Sequence, residues 1–212
     1  MNKENTATLV SPMAAIANAP AWLRGAGIVL AGSAFAAVCA HVSLPLFFTP
    51  VPLSLAPFAV LVLGLVLSPR MAAAAFAAYL AEGAAGLPVF SPSPASGGLA
   101  HLFGPTGGYL LAYPLAAALI SFLYRRAKLG PRLGLATLGP KRRGYILAFA
   151  SAAIGDLLIL TCGALWLAAF AHIAVSQATA LAVLPFLAGD ALKIAAAAAV
   201  ASAAARLRPR AA

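Results

Sequence analysis

Charge is scarce in this sequence. Of its 212 residues 8% are charged, and only four are acidic: Glu4, Glu82, Asp156 and Asp190. A water-soluble domain carries about a quarter charged residues, because its outer shell has to be solvated. A soluble globular fold is therefore excluded. Cysteine is nearly missing too. Cys39 and Cys162 both stand inside apolar runs, where a thiol behaves as a small hydrophobe, so neither a disulfide framework nor a metal motif is implied. His41, His101 and His172 lack HExxH or similar spacing, and no nucleophile–base pair is apparent, so no metal ligand and no catalytic residue is assigned. A phosphate loop ending in Gly-Lys-Ser/Thr is also missing, so this polypeptide alone cannot hydrolyse ATP. The first 23 residues have no continuous apolar stretch of the kind a secretory signal needs, and a cleaved signal peptide is not expected.

What the chain has is apolar surface: 63% of its residues are hydrophobic and the mean hydropathy is +0.98. Lipid is the solvent that suits it. A transmembrane helix needs about 20 apolar residues, so the length allows roughly six spans and no separate soluble domain. The runs fall at 24–42, 53–68, 71–87, 107–124, 144–171 and 181–205, with Pro and Gly at the joints, notably Ser68-Pro69. Ala and Leu dominate them and period-2 alternation is missing, so helices are expected and barrel strands rejected. The predicted fold is an all-α integral membrane protein of six transmembrane helices. Residues 1–23 would form an N-terminal segment, 24–205 the membrane domain and 206–212 a basic tail.

The basic residues orient this scheme, since cytoplasmic connections collect Lys and Arg. Lys3, Arg24, Arg70, Arg125, Arg126, Lys128, Arg132, Lys141, Arg142, Arg143, Arg206, Arg208 and Arg210 all fall on one side. The connections at 43–52, 88–106 and 172–180 hold none. Both termini and the 125–143 loop are accordingly expected in the cytoplasm, in a multi-pass protein of the inner or plasma membrane. The net charge of +10 is then a matter of orientation in the bilayer and implies no nucleic-acid partner.

Four charges lie inside the apolar runs: Glu82, Asp156, Asp190 and Lys193. Each costs at least ~2.5 kcal/mol at mid-span, so each should face the bundle interior, paired or serving a ligand. By helical rise Glu82 and Asp156 stand roughly 18 Å above the inner interface, and Asp190 lies five to nine residues below the outer end of the last span. Asp190 and Lys193, three apart, share a helix face. They could simply neutralise one another. As a cluster at one depth, the four suit a polar, largely uncharged solute. The 88–106 connection is rich in turn formers yet uncharged, with apolar Leu87, Val89, Phe90, Leu99 and Leu102, as a lid over such a site would be. Gly107 and Gly108, after Thr106, offer bare N–H groups at the start of the fourth span.

Four segments together resemble the BioY family, the biotin-binding S components of energy-coupling-factor (ECF) transporters. They are Val-Pro-Leu-Ser-Leu at 51–55, Gly-Leu-Pro-Val-Phe at 86–90, Gly-Pro-Thr-Gly-Gly-Tyr at 104–109 and Leu-Pro-Phe-Leu-Ala-Gly-Asp-Ala-Leu-Lys at 184–193. The resemblance covers about 24–205 and implies a six-helix S-component bundle with biotin, the transported ligand, held in the outer half. No cofactor is implied. Asp190 would accept from a ureido N–H, Lys193 would donate to a biotin oxygen, and Phe90 and Tyr109 would pack on the ring and alkyl chain. The implied partners are one transmembrane coupling protein and two ATPase subunits, or further copies of the chain if it works without them. Small residues Gly32, Ala36 and Ala40 on the first span would dock the coupling protein or pack within the bundle. The family's Gln after the first segment is Ala56 here, and no family role falls on Glu82. An S component for another vitamin and a small intramembrane enzyme are the alternatives.

Overall fold

The computed structural model describes residues 20–92, 98–129 and 139–207. In chain order these form α1 (Ala21–His41), strand β1 (Ser43–Leu44) paired antiparallel with β2 (Leu53–Ser54), α2 (Ala56–Val66) and α3 (Pro69–Ala84). The single turn α4 (Leu99–Leu102) follows, then α5 (Gly107–Leu129), α6 (Pro140–Ala171), α7 (Val175–Ala182) and α8 (Leu187–Leu207). Lys3, Arg132, Arg208 and Arg210 lie outside the described residues.

The chain is mostly helical, and prolines set several helix starts. Pro57 stands in the first turn of α2, Pro69 opens α3 and Pro140 opens α6, positions where a missing N–H leaves nothing unsatisfied. Ser68 caps α3 by accepting from Met71 N–H at 3.4 Å. Two expected spans are shorter than the sequence implies. The run at 53–68 is helical only from Ala56, because Pro50 and Pro52 keep the chain extended and residues 53–54 join a hairpin, Ser43 opposite Ser54 and Leu44 opposite Leu53. The run at 181–205 becomes helical again at Leu187: α7 ends at Ala182, ahead of Leu184-Pro185, where the residue before proline is pushed out of helical geometry.

Among the described residues, four helices are long and apolar enough to cross a membrane: α1, α5, α6 and the Leu187–Ala205 part of α8. With eleven and sixteen residues, α2 and α3 measure about 16 and 24 Å, less than the roughly 30 Å of hydrocarbon. The short α2 is tolerable because it packs on α1, α5, α6 and α8, with Ala59, Val60 and Leu61 fully buried. Irregular backbone beside it is then walled by protein instead of lipid. At 32 residues, α6 is about 48 Å long and has to tilt or project beyond the hydrocarbon.

Glycines make the close crossings. On α5 and α6, a Cβ at Gly155 would fall into Ile120, one at Gly163 into the Tyr109 ring, and one at Gly108 into Trp166. On α1, Gly32 abuts Ala75 of α3, and Ala36 and Ala40 are buried, so the small-residue stripe is used inside the bundle. The opposite ends of the molecule differ in chemistry. At one, the C-terminal parts of α2, α5 and α8 meet in a groove holding Arg125 and Lys128, and Ser121 Oγ donates to Leu67 O at 2.6 Å. At the other, the hairpin, α4, and the N-termini of α5 and α8 close around a cavity.

Candidate functional site

The cavity takes its walls from the hairpin and five helices. Pro50, Val51, Pro52 and Ser54 come from the hairpin, Ala56 and Pro57 from α2, and Tyr79 from α3; Thr106, Tyr109, Leu110 and Tyr113 lie on or beside α5. Asp156, Ile159 and Leu160 come from α6, and Phe186, Asp190 and Lys193 from the last helix and the turn before it. His101 of α4 and Ser91 cover the site from the 88–106 connection, of which 93–97 lie outside the described residues. Pro114 inside α5 removes the helical donor that the Leu110 carbonyl would otherwise meet, on a residue of the cavity wall.

Asp190 sits in the first turn of α8, closer to the helix end than expected, where the positive pole of the helix favours its carboxylate. One turn on, Lys193 Nζ donates to Asp190 Oδ1 at 2.9 Å, and the two residues are 7% and 3% exposed. The pair leaves Asp190 a second acceptor oxygen and Lys193 two further N–H donors, side by side. Asp156 is 4% exposed and makes no ion pair with any described residue. Tyr109 Oη donates to Ala182 O at 2.5 Å, tying α5 to the end of α7.

The other expected site residues lie elsewhere. Glu82 accepts from Ser33 Oγ in the α1–α3 interface, away from the cavity, so the acids around the ion pair number one and not two. Phe90 stands behind the wall, edge-on to Tyr79 and stacked on His101 with ring centroids 5.0 Å apart, over Gly83. Gly107 and Gly108 are pressed against Trp166 by their bare backbones. The sequence assigns no site role to Tyr79, Tyr113, His101 or the hairpin prolines. Nothing in an apolar, aromatic or loop residue's type announces a cavity wall.

The cover is held by polar ties to backbone, not by charge. Thr49 Oγ1 donates to Leu181 O at 2.9 Å, Ser91 Oγ to Ala40 O at 2.9 Å and Trp166 Nε1 to Gly104 O at 2.9 Å. These ties hold Thr49, Ser91 and Gly104 of the uncharged connections to the bundle. Burial pushes the His101 imidazole below its ordinary value. Among the described residues, no group of three or more His, Cys, Asp or Glu is placed to hold a metal ion.

A helical bundle of membrane-length apolar helices around a buried, polar-studded cavity defines a multi-pass membrane protein built to hold a small molecule. The chain belongs to the BioY family, whose model matches residues 8–210. The probable biotin transporter BioY of Pyrococcus horikoshii is 37% identical over 146 residues, 69% of this chain and 75% of that protein. Biotin transporter BioY2 of Lactococcus lactis subsp. cremoris is 35% identical over 159 residues, 75% of this chain and 78% of that protein. The fold matches a crystal structure of the S-component for biotin from an ECF-type ABC transporter, with a TM-score of 0.74 and 23% identity over 88% of this chain and 93% of that one.

Proposed function

We propose that this protein is the biotin-capturing membrane subunit of a vitamin uptake system. The observation that carries the reading is the Lys193–Asp190 pair on the cavity wall. A free acceptor beside free donors is complementary to a cyclic urea, which presents N–H and C=O side by side. Buried among tyrosines, such charge-assisted bonds are stronger than in water. A buried pair serving stability alone would be a poor arrangement, because apolar residues of similar volume often do as well or better. Family membership and the names of the relatives support biotin as the ligand.

In this reading the cavity end faces outside and the basic end faces the cytoplasm, in a cell membrane crossed by six spans. Energy comes from a coupling protein with two ATPase subunits, since the chain has no phosphate loop of its own. The site would carry biotin across without covalent change, so no residue acts as a nucleophile.

Biotin titration of the purified chain tests the site. Asp190→Asn and Lys193→Met should each weaken binding ten- to a hundredfold, the value of a charge-assisted hydrogen bond at about 1.5–3 kcal/mol. A folded double variant that binds biotin with unchanged affinity would refute the assignment.

A further inference from the structure

Two of the three tyrosines on the cavity wall are treated differently by the fold. Tyr109 has its hydroxyl bonded to Ala182 O. Tyr79 is fully buried, held edge-on between Phe76 and Phe90 at centroid distances of 6.3 and 5.3 Å, and its hydroxyl has no hydrogen-bond partner among the described residues. A buried hydroxyl without a partner destabilises the fold that contains it, and Phe would fill the same space without that penalty. Its place on the cavity wall gives it something to do.

We propose that the Tyr79 hydroxyl reads the bound ligand by donating a hydrogen bond to one of its acceptor oxygens, across the cavity from Asp190 and Lys193. Tyr79 stands on α3, which packs on α1 and α5, whereas the ion pair stands on α8, which packs on α2 and α6. The ligand is thus gripped from two walls: by charged groups on one and by a neutral donor on the other. Biotin has acceptor oxygens on its ureido carbonyl and its carboxylate, and a phenol donates to either. The aromatic sleeve of Phe76 and Phe90 fixes the ring, so little rotamer freedom is lost on binding. The selectivity is of the kind that rejects analogues lacking the matching polar atom, because the hydroxyl is then left unpaired.

This inference rests on the proposed biotin site, so wild-type binding is measured first. No binding by the wild type would overturn both readings together. With binding established, Tyr79→Phe separates them. The expected result is a ligand-free thermal midpoint equal to or above that of the wild type, with biotin affinity roughly three- to tenfold weaker. Unchanged affinity in a folded Tyr79→Phe protein would overturn the role of the hydroxyl and leave the biotin site standing. If the midpoint falls instead, Ile120→Val provides the comparison, as a fully buried core change away from the cavity wall that removes no hydroxyl. A greater affinity loss in Tyr79→Phe than in Ile120→Val at matched stability supports the proposal, and equal losses overturn it.

Discussion

His101 shows how a single residue couples the cover of the cavity to pH. Its ring lies buried against Phe90, and burial lowers its pKa below the ordinary value of 6.5. The unfolded chain therefore takes up a proton before the folded one does. The folded state is at no disadvantage above that ordinary value and loses stability as pH falls through it toward the lowered folded value. Between pH 7.5 and 5.5 the thermal midpoint of the wild type should fall relative to that of His101→Asn. Parallel pH profiles for wild type and variant would rule the effect out. At this scale the sequence is legible where chemistry is conspicuous. Asp190 and Lys193 stand out because charge within an apolar run needs a reason. Glu82 stands out equally, but its destination is set by Ser33, a residue with no such signature. Tyr79 and Tyr113 read as ordinary core until the helices are placed around them.

Elements are legible where local rules decide them and obscure where packing does. Ser68-Pro69 marks a helix start by capping and proline geometry, and α3 begins there. The hairpin of β1 and β2 has no such signal. Its strands are two residues long, and they pair because Thr49 and the prolines fold the connection back over the bundle. Glycine gives the sharpest test at this scale. At Gly108 an added methyl would meet Trp166 and the Cys162 carbonyl, between two helices that have no room to separate. Gly108→Ala should therefore destabilise by about 1–3 kcal/mol, the usual range for overpacking. At Gly27, in the exposed half of α1, nothing lies within 4 Å of the added carbon. Gly27→Ala should leave the thermal midpoint unchanged or raised, since Ala is the better helix former. Equal effects at the two positions would mean that the α5–α6 crossing has room for a methyl group at Gly108.

For the whole molecule, the arrangement of charge is the simplest fact and the one with the widest consequence. The groove at one end gathers Arg125 and Lys128, while the only ion pair among the described residues lies at the other. The negative pole at the C-terminus of α5 favours cations there by only about 0.3–1 kcal/mol, too little to sort charge across a whole molecule. Orientation during insertion sorts it more strongly in the proposed topology, and it predicts that the cavity opens outside. Phe103, 63% exposed beside the cavity, and Gly139, with no neighbour within 4 Å of an added Cβ, make suitable markers. In a background with Cys39 and Cys162 replaced by Ala, a membrane-impermeant thiol reagent should label Phe103→Cys in intact cells. Gly139→Cys should be labelled only after permeabilisation. Neither marker changes the charge balance that sets the orientation, so the readout is independent of its cause. The reverse pattern would place the cavity on the cytoplasmic side, where Asp190 and Lys193 could meet biotin only after it had entered, and capture from outside would no longer be tenable.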